Sequence, residues 1–191
     1  MLLQRSKPFV ELALLIDDSE LLGRGVTQLA ENATYGEPEW FVAHERGHQI
    51  ALRENDVERS LGFAKALCLA QPGRLDYTDW YVEALRRTNG WSELQLFMEE
   101  QLESGLSDAT AARELIAESL FELEDDEAGL EVMLRIDSDG RDRQWAKTVW
   151  DASARLGRSE SAYEAATKKN QNILYTHGLV LILFVNKYFI A

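Results

Sequence analysis

One kind of polar turn recurs along this chain at nearly constant spacing. A fixed period of that length is compatible with few architectures other than stacked helical repeats. Asn55-Asp56-Val57-Glu58-Arg59-Ser60 joins one pair of amphipathic segments, and Asn89-Gly90-Trp91-Ser92-Glu93-Leu94 joins the next. Glu124-Asp125-Asp126-Glu127-Ala128-Gly129 and Gly157-Arg158-Ser159-Glu160-Ser161-Ala162 follow, and Asp17-Asp18-Ser19-Glu20-Leu21-Leu22 is a fainter copy. The last residues of these segments, at 22, 60, 94, 129 and 162, lie 38, 34, 35 and 33 apart. Between them the apolar residues step by three and four. Val57, Leu61, Ala64, Leu67 and Cys68 share one helical face over 57–69, and Trp91, Leu94, Phe97, Met98 and Leu102 share another over 91–102. Leu115, Ile116, Ser119, Leu120 and Leu123 repeat the pattern over 115–123. No alternating run suggests a strand before the C-terminal tail. A lone helical hairpin cannot bury its apolar face, whereas stacked hairpins share a continuous core, and small residues such as Ser60, Gly129 and Ala162 allow close approach.

The copy that begins Asn55-Asp56-Val57-Glu58-Arg59-Ser60-Leu61 continues through Ala64, Ala66, Leu67 and Pro72. With Leu156-Gly157-Arg158-Ser159-Glu160-Ser161-Ala162-Tyr163, it resembles tetratricopeptide (TPR) repeats, and the resemblance covers about residues 8–169. Leu22 and Leu94 depart from it, standing where the family prefers a small residue, and only one repeat keeps a closing proline. The expected fold is all-α: a right-handed α-solenoid of about five helix–turn–helix repeats over residues 1–169, followed by an apolar tail over 170–191.

The resemblance implies that the first helix of each repeat lines a concave groove. Its groove positions fall on Arg46, Gln49 and Arg53 in the second repeat, and on Asp79, Trp80, Glu83, Arg86 and Arg87 in the third. Glu114, Glu118 and Phe121 follow in the fourth, and Lys147, Asp151 and Arg155 in the fifth. Arginine forks bind carboxylates in bidentate fashion, and Trp80 offers a flat anchor. The implied partner is therefore a protein or peptide with an acidic or carboxylate-ended segment. The alternative is that these cations pair with glutamates along their own helices. The Lys and Asn clamp by which some TPR proteins hold chaperone C-termini is not reproduced.

Charge narrows the choice of partner. The chain of 191 residues carries a net −13. All 33 Asp and Glu, but only 17 of the 20 Lys and Arg, lie in residues 1–164, a net −16 there. Such a surface repels phosphate backbones, so a general nucleic-acid binder is disfavoured. A single cysteine, Cys68, excludes an intrachain disulfide framework and suits a cytoplasmic chain.

Val42-Ala43-His44-Glu45-Arg46-Gly47-His48 contains H-E-x-x-H. That spacing places two histidines on one helical face to bind zinc, with the glutamate activating a metal-bound water. It offers an alternative reading as a zinc metallopeptidase. Against it, the places where one branch of that family has glycine and a third histidine hold Ala51 and Glu54, no strand is expected nearby, and the string fills the first-helix slot of a clear repeat. Two histidines on a packing helix is the preferred reading. Asp137-Ser138-Asp139-Gly140-Arg141-Asp142 resembles a calcium loop, but Arg141 and Thr148 occupy its fifth and twelfth places, so a turn between repeats fits better. Nucleophile-elbow and phosphate-loop motifs are absent, and Cys68 lies on an apolar helix face. The expectation is a non-catalytic scaffold without cofactor or bound metal.

Met1 to Ile16, with Arg5, Lys7 and the run Leu12–Ile16, weakly resembles a secretory leader, but Glu11 interrupts the apolar stretch and no small-residue cleavage site follows, so a first repeat helix is expected there. Residues 173–190 are mostly apolar, 18 residues long, and interrupted by His177, Asn186 and Lys187. That is the lower limit for a membrane span. A packed cap or a foreign tail is the preferred reading. A tail-anchored membrane adaptor, with Lys168 and Lys169 on the cytoplasmic side, is the alternative.

Overall fold

The computed structural model describes residues 19–137 and 142–158. Among them are eight α-helices and no strand. They are α1 (Ser19–Asn32), α2 (Pro38–Arg53), α3 (Val57–Ala70), α4 (Leu75–Arg87), α5 (Trp91–Glu103), α6 (Ala109–Glu122), α7 (Asp126–Leu134) and α8 (Arg143–Arg155). The expected helix before residue 17, most of the calcium-like loop, the last turn beyond Arg158 and the tail over 170–191 lie outside the described residues.

The recurrent turns are one backbone device. Asn55, Asn89, Glu124 and Gly157 all adopt positive φ, between 54° and 67°, at spacings of 34, 35 and 33. At each, two hydrogen bonds close the preceding helix. Around Asn55, the Asp56 amide donates to Ala51 O (2.8 Å) and the Asn55 amide to Leu52 O (3.2 Å). The same pair recurs with the Gly90 amide to Leu85 O (2.8 Å), the Asp125 amide to Leu120 O (2.9 Å) and the Arg158 amide to Ser153 O (2.7 Å). This is the Schellman motif, which uses a left-handed residue to satisfy the last carbonyls of a helix. The next helix then starts on a side-chain cap. Asp56 Oδ1 accepts from the Arg59 amide (3.1 Å), and Asp125 Oδ1 from the Ala128 amide (3.1 Å). Asp108 and Asp142 cap α6 and α8 in the same way.

The chain divides into two compact units that meet between Leu94 and Gln95. In the first, α1 packs on α2, α2 on α3 and α3 on α4. Val26 and Leu29 of α1 meet Ala43 and Ile50 of α2. Further along, Ala64, Leu67, Tyr77, Leu85 and Leu94 are fully enclosed. Leu94 thus fills a core position that a small residue usually takes in TPR repeats. In the second unit, α6 packs on α7 and α7 on α8. Its core gathers Ala117, Leu130, Met133, Ile136, Trp145, Val149 and Ala152. The Trp145 indole donates to Met133 O (2.8 Å), so this buried ring keeps its polar atom satisfied.

Candidate functional site

In the first unit, α2 and α4 present their side chains to each other through a seam of aromatic and polar groups. Phe41 and Tyr77 are parallel, 9° between planes at 6.4 Å. Glu45 Oε1 accepts from the Tyr77 hydroxyl at 2.6 Å, and Arg74 lies 3.5 Å from the same oxygen. Arg74 also covers the Tyr77 ring at 4.0 Å. One turn on, the His48 ring stacks on Trp80 at 4.7 Å and 18°, while Trp80 tilts against Tyr77 at 5.6 Å. Burial first, and then the Glu45 carboxylate, push the Tyr77 hydroxyl up to about 12. Residues at 41, 45 and 48 of one helix therefore meet those at 77 and 80 of the other, both ladders following helical steps of three and four.

The H-E-x-x-H residues are committed to this packing. The His44 ring lies on Trp40 (3.7 Å) with its edge toward Phe63, and its Nδ1 donates to Trp40 O at 2.9 Å. His48 is buried, with Nδ1 facing the Ser60 hydroxyl at 3.0 Å and the Ser60 carbonyl oxygen at 3.3 Å. Glu45 is held by Tyr77 and Arg74. Both imidazoles are held below their ordinary range, chiefly by burial. Among the described residues, no group of three His, Cys, Asp or Glu side chains is arranged to hold a metal ion. Cys68 is buried with its sulfur 4.0 Å from Thr78 Oγ1, and burial pushes its thiol up, which disfavours the nucleophilic thiolate.

Of the residues expected to line a groove, eight lie in the first unit. On α2, Val42, Arg46, Gln49 and Arg53 follow steps of four, three and four along one face. Arg46 donates to Gln49 Oε1 at 3.0 Å. Arg53 is exposed and makes no ion pair or hydrogen bond among the described residues. It stands in the last turn of α2, where a cation also suits the helix end. On α4, Trp80 and Arg86 are half-buried, and Glu83 Oε1 accepts from Arg87 Nε at 2.9 Å. Asp79 is exposed.

The other six lie in the second unit, where Lys147, Asp151 and Arg155 are internally paired. Lys147 donates to Asp151 at 2.8 Å. Arg155 makes a fork on Asp126, at 2.7 and 2.5 Å, and covers the Phe121 ring at 5.4 Å. That fork holds the Asp126 carboxyl below the usual carboxylate range. Glu114, by contrast, is pushed up by burial and by Asp142 and Asp108. Pairing along and between helices thus occupies Arg87, Lys147 and Arg155, while Arg46 and Arg53 have no carboxylate partner among the described residues.

Sequence reasoning had no place for Tyr77, or for the Ser60 contact to His48. A signal existed in the matched ladders, since 41 and 77 lie 36 apart and 48 and 80 lie 32 apart, close to the repeat period.

No protein-family model matches the chain, and no curated protein is detectably similar to it. Solved structures are similar in fold. A MamA RS-1 double mutant shares 17% identity over 87% of this chain and 91% of its own, with a TM-score of 0.56. MamA from residue 41 to its end, from Desulfovibrio magneticus RS-1, shares 16% identity over 91% and 96%, at 0.57. A kinesin light chain from Podospora anserina with nearly identical TPR-like repeats shares 11% over 92% and 94%, at 0.58. With its eight described helices, its repeated left-handed turns and these likenesses, the chain has the fold of TPR-like helical-hairpin repeats.

Proposed function

We propose that this protein is a non-catalytic interaction scaffold, and that the outward face of α2 and α4 binds an acidic or carboxylate-ended segment of a partner protein. The observation that carries this reading is the uncompensated pair Arg46 and Arg53. In a chain of net charge −13, two guanidinium groups without a carboxylate among the described residues share a helical stripe with Gln49 and the half-exposed Val42. A partner carboxylate supplies what they lack, at about 1.5–3 kcal/mol for a charged hydrogen bond. On α4, Trp80, Glu83, Arg86 and Arg87 complete the proposed face. Lys147, Asp151 and Arg155, in the second unit, are held in pairs of their own. Acidic nucleic acid is a poor partner for the same charge. No helix among the described residues is long and apolar enough to cross a membrane, and a single buried thiol is at ease in the reducing cytoplasm, where we place the protein.

The test is fluorescence anisotropy with acidic peptides bearing a free C-terminal carboxylate, compared with their amidated forms. The paired substitution Arg46→Glu and Arg53→Glu is expected to weaken binding at least tenfold. Arg155→Glu, in the second unit, is expected to change it by less than threefold. Equal binding by the paired variant and the native chain overturns the assignment of this face.

A further inference from the structure

Among the described residues, His48 is the imidazole that stacks inside the α2–α4 seam that builds this face. Its ring is buried between Ser60 of α3 and the stacked Trp80 of α4. Trp80 in turn leans on Tyr77, whose hydroxyl is held by Glu45. The charge that acts on the ring from α4 is Arg87, itself paired with Glu83. From α3 the contact is the uncharged Ser60, and on α2 the neighbouring His44 and Glu45 are bonded elsewhere. No salt bridge joins His48 to a carboxylate among the described residues.

We propose that His48 is an acid-operated latch on the α2–α4 face, and that protonating its buried ring destabilises the packed seam and loosens the surface that carries Arg46 and Arg53. The regulatory part of this proposal rests on the binding reading above. Ser60 oxygens can accept the Nδ1 hydrogen of a protonated ring, so hydrogen bonding does not oppose the change. Charge does, because an imidazolium here is desolvated and lies near the Arg87 cation. Burial already holds the imidazole below 6.5, offset in part by the bond to the Ser60 carbonyl and reinforced by Arg87. The sign follows from proton counting. Above pH 6.5 both states leave the ring neutral and the seam has its full stability. Below 6.5 the unfolded chain takes up a proton that the folded chain resists, so stability falls as pH falls toward the folded value. Between pH 7.5 and 5.5 one such group lowers the folding constant by up to about tenfold.

The experiment is a ring-proton NMR titration of the full chain, whose three histidines are assigned through His44→Gln and His177→Gln, together with urea melts at pH 7.5 and 5.5. His48 is expected to titrate clearly below 6.5. The loss of folding constant at pH 5.5 is expected to shrink in His48→Gln. Titration of His48 at 6.5 or above, or an equal loss in His48→Gln, overturns the latch. If His48→Gln does not fold, the titration of the native chain decides. Neither readout needs a partner, so failure of the acidic peptides to bind at any pH sinks the binding reading while the latch is still decided by these measurements.

Discussion

At Gly47 the absence of a side chain sets how closely α2 and α3 meet. A Cβ there would fall 2.5 Å from Phe63 Cζ, with two further ring atoms within 2.7 Å. In an exposed helix, glycine to alanine stabilises by roughly 1 kcal/mol. Here the ring fills that space, so Gly47→Ala is expected to destabilise by about 1–3 kcal/mol through overpacking. The thermal midpoint should drop by several degrees, and a rise would show that the Phe63 ring moves aside freely. Gly129 is the counterpart in the second unit, with Phe121 over it at 2.5 Å. The need for a small residue at 129 is legible from its repeat register. Gly47 is not, because Phe63 reaches it from the next helix. The same limit applies to the histidines. Their spacing of four predicts a shared face, yet one ring lies on Trp40 and the other on Trp80, and no count along the chain distinguishes a ligand from a stacked ring.

Among the elements, the turns were the most readable part. Helices expected over 57–69 and 91–102 occur at Val57–Ala70 and Trp91–Glu103. Asn55, Asn89 and Gly157 are residues that tolerate a left-handed backbone, so the closing motif is written locally. Glu124 is the exception, at φ 63°. A left-handed conformation costs a side-chain-bearing residue about 1–2 kcal/mol, and glycine gives back roughly 0.5–1 kcal/mol through its freer unfolded chain. Glu124→Gly is therefore expected to stabilise by about 0.5–1 kcal/mol. That corresponds to a rise of roughly 1–4 °C in a thermal melt of a chain this size. An unchanged or lower midpoint would mean that the Glu124 side chain contributes contacts beyond its backbone. The reason this strain is tolerated is visible in the neighbours, since Asp125 both closes α6 through its amide and caps α7 through its carboxylate.

For the whole molecule, the pH profile integrates the local environments. Glu93 is held below its ordinary range by bonds from Lys65 and the Tyr81 hydroxyl, and Asp126 by the Arg155 fork. Depressed carboxyls contribute stability above their unfolded values that is lost as pH falls through the folded ones. The half-buried His44 and the buried His48 lose theirs as pH drops below 6.5. Tyr77 acts at the other end. Its hydroxyl is raised from 10 to about 12, so the folded chain keeps a proton that the unfolded chain releases, and stability declines as pH rises past 10. Melts from pH 3 to 11 should show a plateau between about 6.5 and 9, where the Cys68 thiol of the unfolded chain begins to ionise, a first decline below 6.5 and a steeper one below about 4.5. A plateau that extends unchanged to pH 5 would contradict the desolvation of both imidazoles.

By itself, the sequence determined the helical class, the period, the turns and the absence of a strand-forming pattern among the described residues. These are set within a few neighbouring residues, through side-chain period, left-handed turn residues and aspartate caps. Only the tertiary structure decided which cations were already spoken for and which rings were stacked. Glu45 finds Tyr77 across 32 residues, and Arg155 finds Asp126 across 29. At that range, the choice between solvent, a neighbour on the same helix and a partner one repeat away depends on where packed helices bring side chains together. The resemblance to TPR repeats placed Arg46, Arg53, Arg87, Lys147 and Arg155 on one expected groove. The folded chain distinguished them by giving three a carboxylate and leaving two without one among the described residues.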